Sequence, residues 1–279
     1  MFKSMICLFD GNDEEMSALA TAARLAGDVR GRVDVLHISY LSDVLRGRYA
    51  GAASSSGWVS VIDRHREEIA TAAQSLAGAM FEREGLAVGD GAPGGRFVRL
   101  LNASNAELLR TLSLADLVVV GAATESTDVI DRTPVDLALF TARRPLLVVR
   151  PADADAPADI VGARTVVAWD GSLTAIRALV GTMPILAGQQ AVTLVTAGEG
   201  VLHAPEPALA YLAAHGVAAR AEHIHDDPPA RAIIRRAHAL RAGLLVSGAY
   251  GHSVVRERLL GGFTDTLLAE ADLPLVLVH

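Results

Sequence analysis

Gly248-Ala249-Tyr250-Gly251-His252-Ser253, running on through Arg256-Glu257 to Gly261-Gly262-Phe263-Thr264, is the stretch whose reading decides the fold. It follows a short apolar run, Leu244-Leu245-Val246-Ser247, that reads as a buried strand. It precedes a helical segment and a last apolar run, Leu275 to Val278. Glycines at the end of a strand let backbone N–H groups come close to a ligand. A helix that starts just beyond them adds its free N–H groups and the positive end of its dipole. Together these make a phosphate cradle. Such a cradle has meaning only inside a chain of alternating strands and helices.

Working outward, the sequence supplies that alternation twice. In the first half, β-like runs at Lys3–Phe9, Arg32–Ser39, Arg96–Leu101, Leu117–Val120 and Leu146–Val149 alternate with helical patterns at Asp13–Gly27, Val59–Glu84, Asn105–Leu112 and Pro134–Phe140. The signal is lost in small and polar residues from Leu41 to Gly57. Pro151-Ala152-Asp153-Ala154-Asp155-Ala156-Pro157 has the composition of a linker. The order then restarts. Strands are expected at Thr165–Trp169, Ala191–Thr196, Ala219–Ile224, Leu244–Ser247 and Leu275–Val278, and helices at Leu173–Leu186, Pro207–His215, Pro229–Arg241 and Gly262–Glu270.

The halves echo each other. Leu8-Phe9-Asp10-Gly11 matches Ala168-Trp169-Asp170-Gly171, and Arg144-Pro145 before one last strand matches Leu273-Pro274 before the other. From Asp10 to Gly121 is 111 positions and from Asp170 to Gly248 is 78, so the middle of the first half is enlarged by 33. This is a duplicated α/β chain: residues 1–150, a linker at 151–164, and residues 165–279.

Composition fits. Of 279 residues, 51% are hydrophobic and only 4% aromatic, so the core is built from Val, Leu, Ile and Ala, as in buried parallel sheets. The net charge of −7 lacks the basic footprint of a nucleic-acid binder. The single cysteine, Cys7, excludes an intrachain disulfide and a cysteine metal site, and reads as a small core residue. No apolar run reaches the roughly 18 residues of a membrane helix, and the acidic Asp10 comes too early for a secretory leader. A cytoplasmic protein is expected.

In a parallel sheet of order 3-2-1-4-5, ligands sit beyond the carboxyl ends of strands 1 and 4, where the strand order reverses. In the second half those strands end at Asp170 and Gly248. Gly248 and Gly251 would allow tight turns and close approach, and Gly261-Gly262 would open the following helix toward an anion. Ser253 and Thr264 could donate hydroxyl hydrogen bonds, and His252 or Arg256 could face phosphate oxygens. Asp170 could accept from a base amine or a ribose hydroxyl. Each has a bland alternative: a turn glycine, a loop histidine, a threonine facing the core, a Glu257 paired with a nearby Arg. Asp226-Asp227 reads as the cap of the next helix. His223-x-His225 puts two rings on one strand face but lacks a third metal ligand.

The spacing Gly248-x2-Gly251-x9-Gly261, followed by an apolar residue, Thr264 and a helix, resembles the nucleotide-binding loop of the universal stress protein family. Asp170-Gly171-Ser172 resembles that family's first-strand signature. Because both halves carry echoes of it, the chain resembles the tandem-repeat type. The resemblance implies two Rossmann-like domains, each a five-stranded parallel sheet flanked by helices. It implies an adenine nucleotide (ATP, ADP or AMP, with or without Mg) in the second repeat. The base and ribose would lie near Asp170, Gly171 and the backbone of Val195 and Thr196. The phosphates would lie on Gly248, Gly251, His252, Ser253, Gly261 and Gly262. Family ATP binders usually carry Ser or Thr directly after the last motif glycine. Gly262 stands there, with an N–H but no hydroxyl.

The first half departs further. Gly121 is followed by Ala122-Ala123-Thr124, and Asp131-Arg132-Thr133-Pro134 replaces the last glycines. Asp131 and Asp136 would repel phosphate. The first repeat is expected to act as an intramolecular dimer mate, with the last strands of the repeats meeting; a homodimer is a further option, and its enlarged middle could hold another small molecule. The leading functional expectation is a nucleotide-binding stress sensor with at most slow hydrolysis, since no attacking base or metal-carboxylate pair accompanies the loop. A scaffold acting through protein partners or a metabolite or lipid-like ligand is the alternative. An ATP pyrophosphatase ranks last, because neither strand-1 turn is rich in glycine and serine.

Overall fold

The four-residue apolar run Leu146–Val149 and its counterpart Leu275–Val278 are buried throughout, and they are where the two halves join. In the computed structural model they pair antiparallel: Leu275 with Val148, Val276 with Leu147, Leu277 with Leu146. The structure describes residues 2–39, 56–122, 133–150, 158–198, 203–226, 228–250 and 262–279.

Eleven strands among these residues form one sheet. They are β1 (Ser4–Leu8), β2 (Arg32–Ser39), β3 (Ala87–Val88), β4 (Gly94–Leu101), β5 (Leu117–Gly121), β6 (Leu146–Val149), β7 (Arg164–Ala168), β8 (Ala191–Ala197), β9 (Ala219–Ile224), β10 (Leu244–Gly248) and β11 (Leu275–Val278). Their order is β3-β4-β2-β1-β5-β6-β11-β10-β7-β8-β9. The second half therefore has the expected 3-2-1-4-5 order. Every described pairing except β6 with β11 is parallel.

Central strands are buried on both faces, so they read as continuous apolar runs rather than alternating ones. Helix Met16–Asp28 illustrates the matching helix chemistry. Ten of its thirteen residues are buried, and most are Ala or Leu, which let it sit close to the sheet. Cys7 is buried and unpaired in that core, as expected.

Several boundaries differ from the sequence reading. The first half has a sixth strand, β3, so five strands per repeat holds only for the second half. Its two residues are exposed, so no hydrophobic pattern marked it. The expected helix Leu173–Leu186 is two helices, Leu173–Gly181 and Met183–Leu186. Pro184 lacks an N–H and is tolerated only in the first turn of a helix, so the chain restarts there. The expected helix Pro134–Phe140 is one α-turn, Thr133–Asp136, followed by a π-helical turn, Leu137–Thr141. The end of the expected linker is packed: Ile160 is buried, and the Ala158 N–H donates to Thr21 Oγ1 at 2.9 Å. The run 151–157 lies outside the described residues.

Candidate functional site

The second half's crevice begins where β7 turns into helix Leu173–Gly181. The Asp170 carboxylate accepts the Ser172 N–H at 2.8 Å, closing a tight turn. Ser172 then caps the helix, its hydroxyl accepting from the Ala175 N–H at 3.1 Å. Between them Gly171 adopts φ +76°, and a Cβ there would lie 2.5 Å from the His203 nitrogen. The Trp169 indole N–H donates to the His203 carbonyl at 3.3 Å. The segment at His203 is thus laid directly over the strand-1 turn.

Across the crevice stands Gly248, at the end of β10. A Cβ there would meet the carbonyl carbon of Thr174 at 2.7 Å and the Ala175 nitrogen at 2.9 Å. Its closest neighbour is the first turn of helix Leu173–Gly181, so its missing side chain serves strand–helix contact. Tyr250 follows with φ +53°. Its N–H donates to Thr264 Oγ1 at 3.1 Å, and its hydroxyl donates to Asp265 Oδ1 at 3.1 Å. The far end of the loop is Gly262, the extended residue (φ −65°, ψ 170°) that opens helix Phe263–Glu270 without a side-chain cap.

The structure brings Asp170, Gly171 and Gly248 together at the switch point, with Gly262 opening the helix on the other side of the loop. Gly251, His252, Ser253 and Gly261, with Arg256 and Glu257, lie outside the described residues. Thr264 is 1% exposed and engaged with Tyr250. Val195 and Thr196 are buried inside β8, and the Val195 carbonyl accepts the Trp169 N–H at 2.9 Å. Of the expected cap Asp226-Asp227, Asp227 lies outside the described residues and Asp226 does not cap the helix Pro229–Ala239. Pro228 holds that position, and Asp226 pairs with Arg235 at 3.2 Å. The His223 and His225 rings are 4.5 Å apart, and His223 Nε2 lies 2.7 Å from the Gly198 carbonyl. No metal-binding group of three appears among the described residues.

Sequence reasoning missed Trp169, Ser172, Thr174 and Tyr250 as parts of this site. Ser172 was legible as a cap, a serine three residues before the N–H it accepts. The others depend on contacts distant in sequence.

The first half's equivalent crevice carries an acidic side chain of its own. Gly11 has φ +94°, and a Cβ there would stand 3.2 Å from Ala73 Cβ on the long helix Ser56–Arg83. Glu15 turns back, and its carboxylate accepts the Asp10 N–H at 2.7 Å. Gly121 packs on Glu15 as Gly248 packs on Thr174, with a Cβ meeting Glu15 Cα at 3.2 Å. Burial pushes the Glu15 carboxyl up to about 7. Asp10 is also raised by burial, with His37 opposing. The acid that occupies this crevice is Glu15, where the sequence pointed to Asp131 and Asp136; Asp131 lies outside the described residues.

No helix among the described residues is long and apolar enough to cross a membrane. The universal stress protein family model matches residues 117–279, more than half of the chain. No curated protein matches it. A universal stress protein from Archaeoglobus fulgidus DSM 4304 is similar over 99% of this chain and 95% of its own, at 14% identity and a TM-score of 0.72. A functionally unknown protein from Pseudomonas aeruginosa PAO1 covers 99% and 92%, at 15% identity and a TM-score of 0.57. A putative universal stress protein from Pseudomonas aeruginosa UCBPP-PA14 covers 99% and 93%, at 15% identity and a TM-score of 0.56. These likenesses show the fold, a largely parallel α/β sheet of Rossmann type, and the family match adds the lineage. The chain belongs to the universal stress protein family.

Proposed function

We propose that the second half binds an adenine nucleotide at the crevice between β7 and β10 and acts as a cytoplasmic stress-response sensor. The observation that carries this reading is the placement of Asp170 and Gly248 at the two strand ends where the sheet order reverses, with Gly262 opening a helix beyond the loop. The base and ribose would meet Asp170 and the Gly171 turn. The phosphates would lie on Gly251, His252, Ser253, Gly261 and Gly262. The backbone of Val195 and Thr196, buried in β8, would lie near the base and ribose, and Thr264 supports Tyr250. Mg would accompany a di- or triphosphate. The role we propose is sensing, with at most slow hydrolysis.

Calorimetry with ATP, ADP and AMP tests the reading. The parent protein should bind at least one of them, and Gly251→Asp, which puts bulk and negative charge in the loop, should bind none. Unchanged affinity in that variant would place the site elsewhere.

One observation favours a second reading, a scaffold for protein partners. Leu173, Ile176 and Val180 on helix Leu173–Gly181 are 71%, 37% and 46% exposed and share a helix face. Absence of any thermal shift with millimolar nucleotide would favour it.

A further inference from the structure

Tyr250 sits between the first two motif glycines in a left-handed conformation that non-glycine residues rarely adopt. Contacts of its N–H, its hydroxyl and its ring hold it there. Its N–H and hydroxyl are tied to Thr264 and Asp265, in the first turn of the helix that ends the loop. Its ring packs against Phe140, with centroids 5.2 Å apart and planes tilted by 56°. Phe140 belongs to the other half of the chain.

The same phenylalanine meets the His279 ring edge-on at 5.1 Å. His279 Nδ1 in turn lies 3.0 Å from the carbonyl of Ala249, the residue before Tyr250. Phe140 therefore bears on both residues with which the loop begins. It is presented by the π-helical turn Leu137–Thr141, closed by the Ala142 N–H donating to the Leu137 carbonyl at 2.8 Å. Such a turn accommodates an extra residue and recurs where side-chain placement matters.

The two halves differ at this position. Five positions before the proline that precedes each last strand stand Phe140 in the first half and Ala269 in the second. Ala269 is exposed on an ordinary α-helix and offers no ring in return.

We propose that Phe140 is a positioning residue for Tyr250, at the start of the opposite half's glycine stretch, so that the first half sets how that residue stands beside the second half's site. This rests on the nucleotide reading above. The test compares the full chain with Phe140→Ala and Phe140→Tyr, using calorimetry with ATP and with adenosine and hydrogen exchange of the Tyr250 amide.

Loss of the Phe140 ring contacts should weaken ATP binding by roughly fivefold. It should leave adenosine affinity unchanged and speed Tyr250 exchange, and Phe140→Tyr should restore the parent values. Equal ATP affinity in Phe140→Ala, or equal losses for ATP and adenosine, would overturn the inference, the latter by showing a general structural effect. If the parent chain binds neither ligand, the nucleotide reading fails first and the positioning role with it. Hydrogen exchange then still reports whether Phe140 holds the segment.

Discussion

A methyl group added to Gly248 would stand 2.7 Å from the carbonyl carbon of Thr174, closer than a non-bonded contact allows without movement. The first glycine of the phosphate-loop signature is therefore required by the packing of β10 on helix Leu173–Gly181, whether or not a nucleotide is present. At the equivalent contact in the first half, Gly121 has 3.2 Å to Glu15. Gly248→Ala should cost about 1–3 kcal/mol, as overpacking against backbone does. Gly121→Ala should cost less, because the neighbour has to yield by less. Urea denaturation of both variants checks this; a Gly248→Ala protein as stable as the parent would remove the packing role.

Gly171 combines φ +76° with the His203 backbone only 2.5 Å from where its Cβ would be. Gly171→Ala should push the His203 segment away and break the Trp169 indole hydrogen bond to the His203 carbonyl. In a Trp58→Phe background, the emission of Trp169 should then shift to longer wavelength. An unshifted spectrum would mean that the turn accommodates the methyl group.

Glu15 gives a pH signature. Its folded-state pKa is raised by burial to about 7. Folding therefore favours its protonated form. Below its ordinary carboxyl range the folded protein carries no penalty from this group. As pH rises toward and through 7, that relative stabilisation is lost. Asp10, also raised, acts in the same direction. Glu15→Gln keeps an acceptor for the Asp10 N–H but cannot ionise. Its stability advantage over the parent should be absent at pH 4, grow between pH 5 and 7, and level off above. Urea midpoints across that range measure it, and a difference independent of pH would refute the assignment.

The pairing of β6 with β11 makes the two halves one sheet. Leu147 and Val276 face each other there and both are fully buried. Leu147→Ala should cost about 2–5 kcal/mol. Because the seam is shared, the Trp169 signal of the second half and the circular dichroism of the whole chain should move to the same lower midpoint. Separate midpoints in the parent would show that the halves unfold independently.

Much of this was legible in the chain. Runs such as Leu117–Val120 and Leu275–Val278 are apolar without alternation because both faces of a parallel strand are covered, so strand positions and the duplication could be read directly. Asp170-Gly171-Ser172 marked a strand-to-helix turn by turn chemistry alone. The exposed strand β3 could not be read, since only backbone pairing with Gly94 and Gly95 creates it. The π-helical turn at Leu137–Thr141 was equally hidden, because an α and a π pattern over five residues look alike.

By itself the sequence determined the alternation of strands and helices, the repeat, the glycine loop and the family, all of which depend on neighbours along the chain. Only the tertiary structure decided what individual residues do. Gly248 spaces a helix, Thr264 and Phe140 hold Tyr250, and Glu15 stands at the crevice whose counterpart in the second half carries Asp170. These roles arise from close contacts between segments far apart in sequence, and no local pattern records which surfaces will meet.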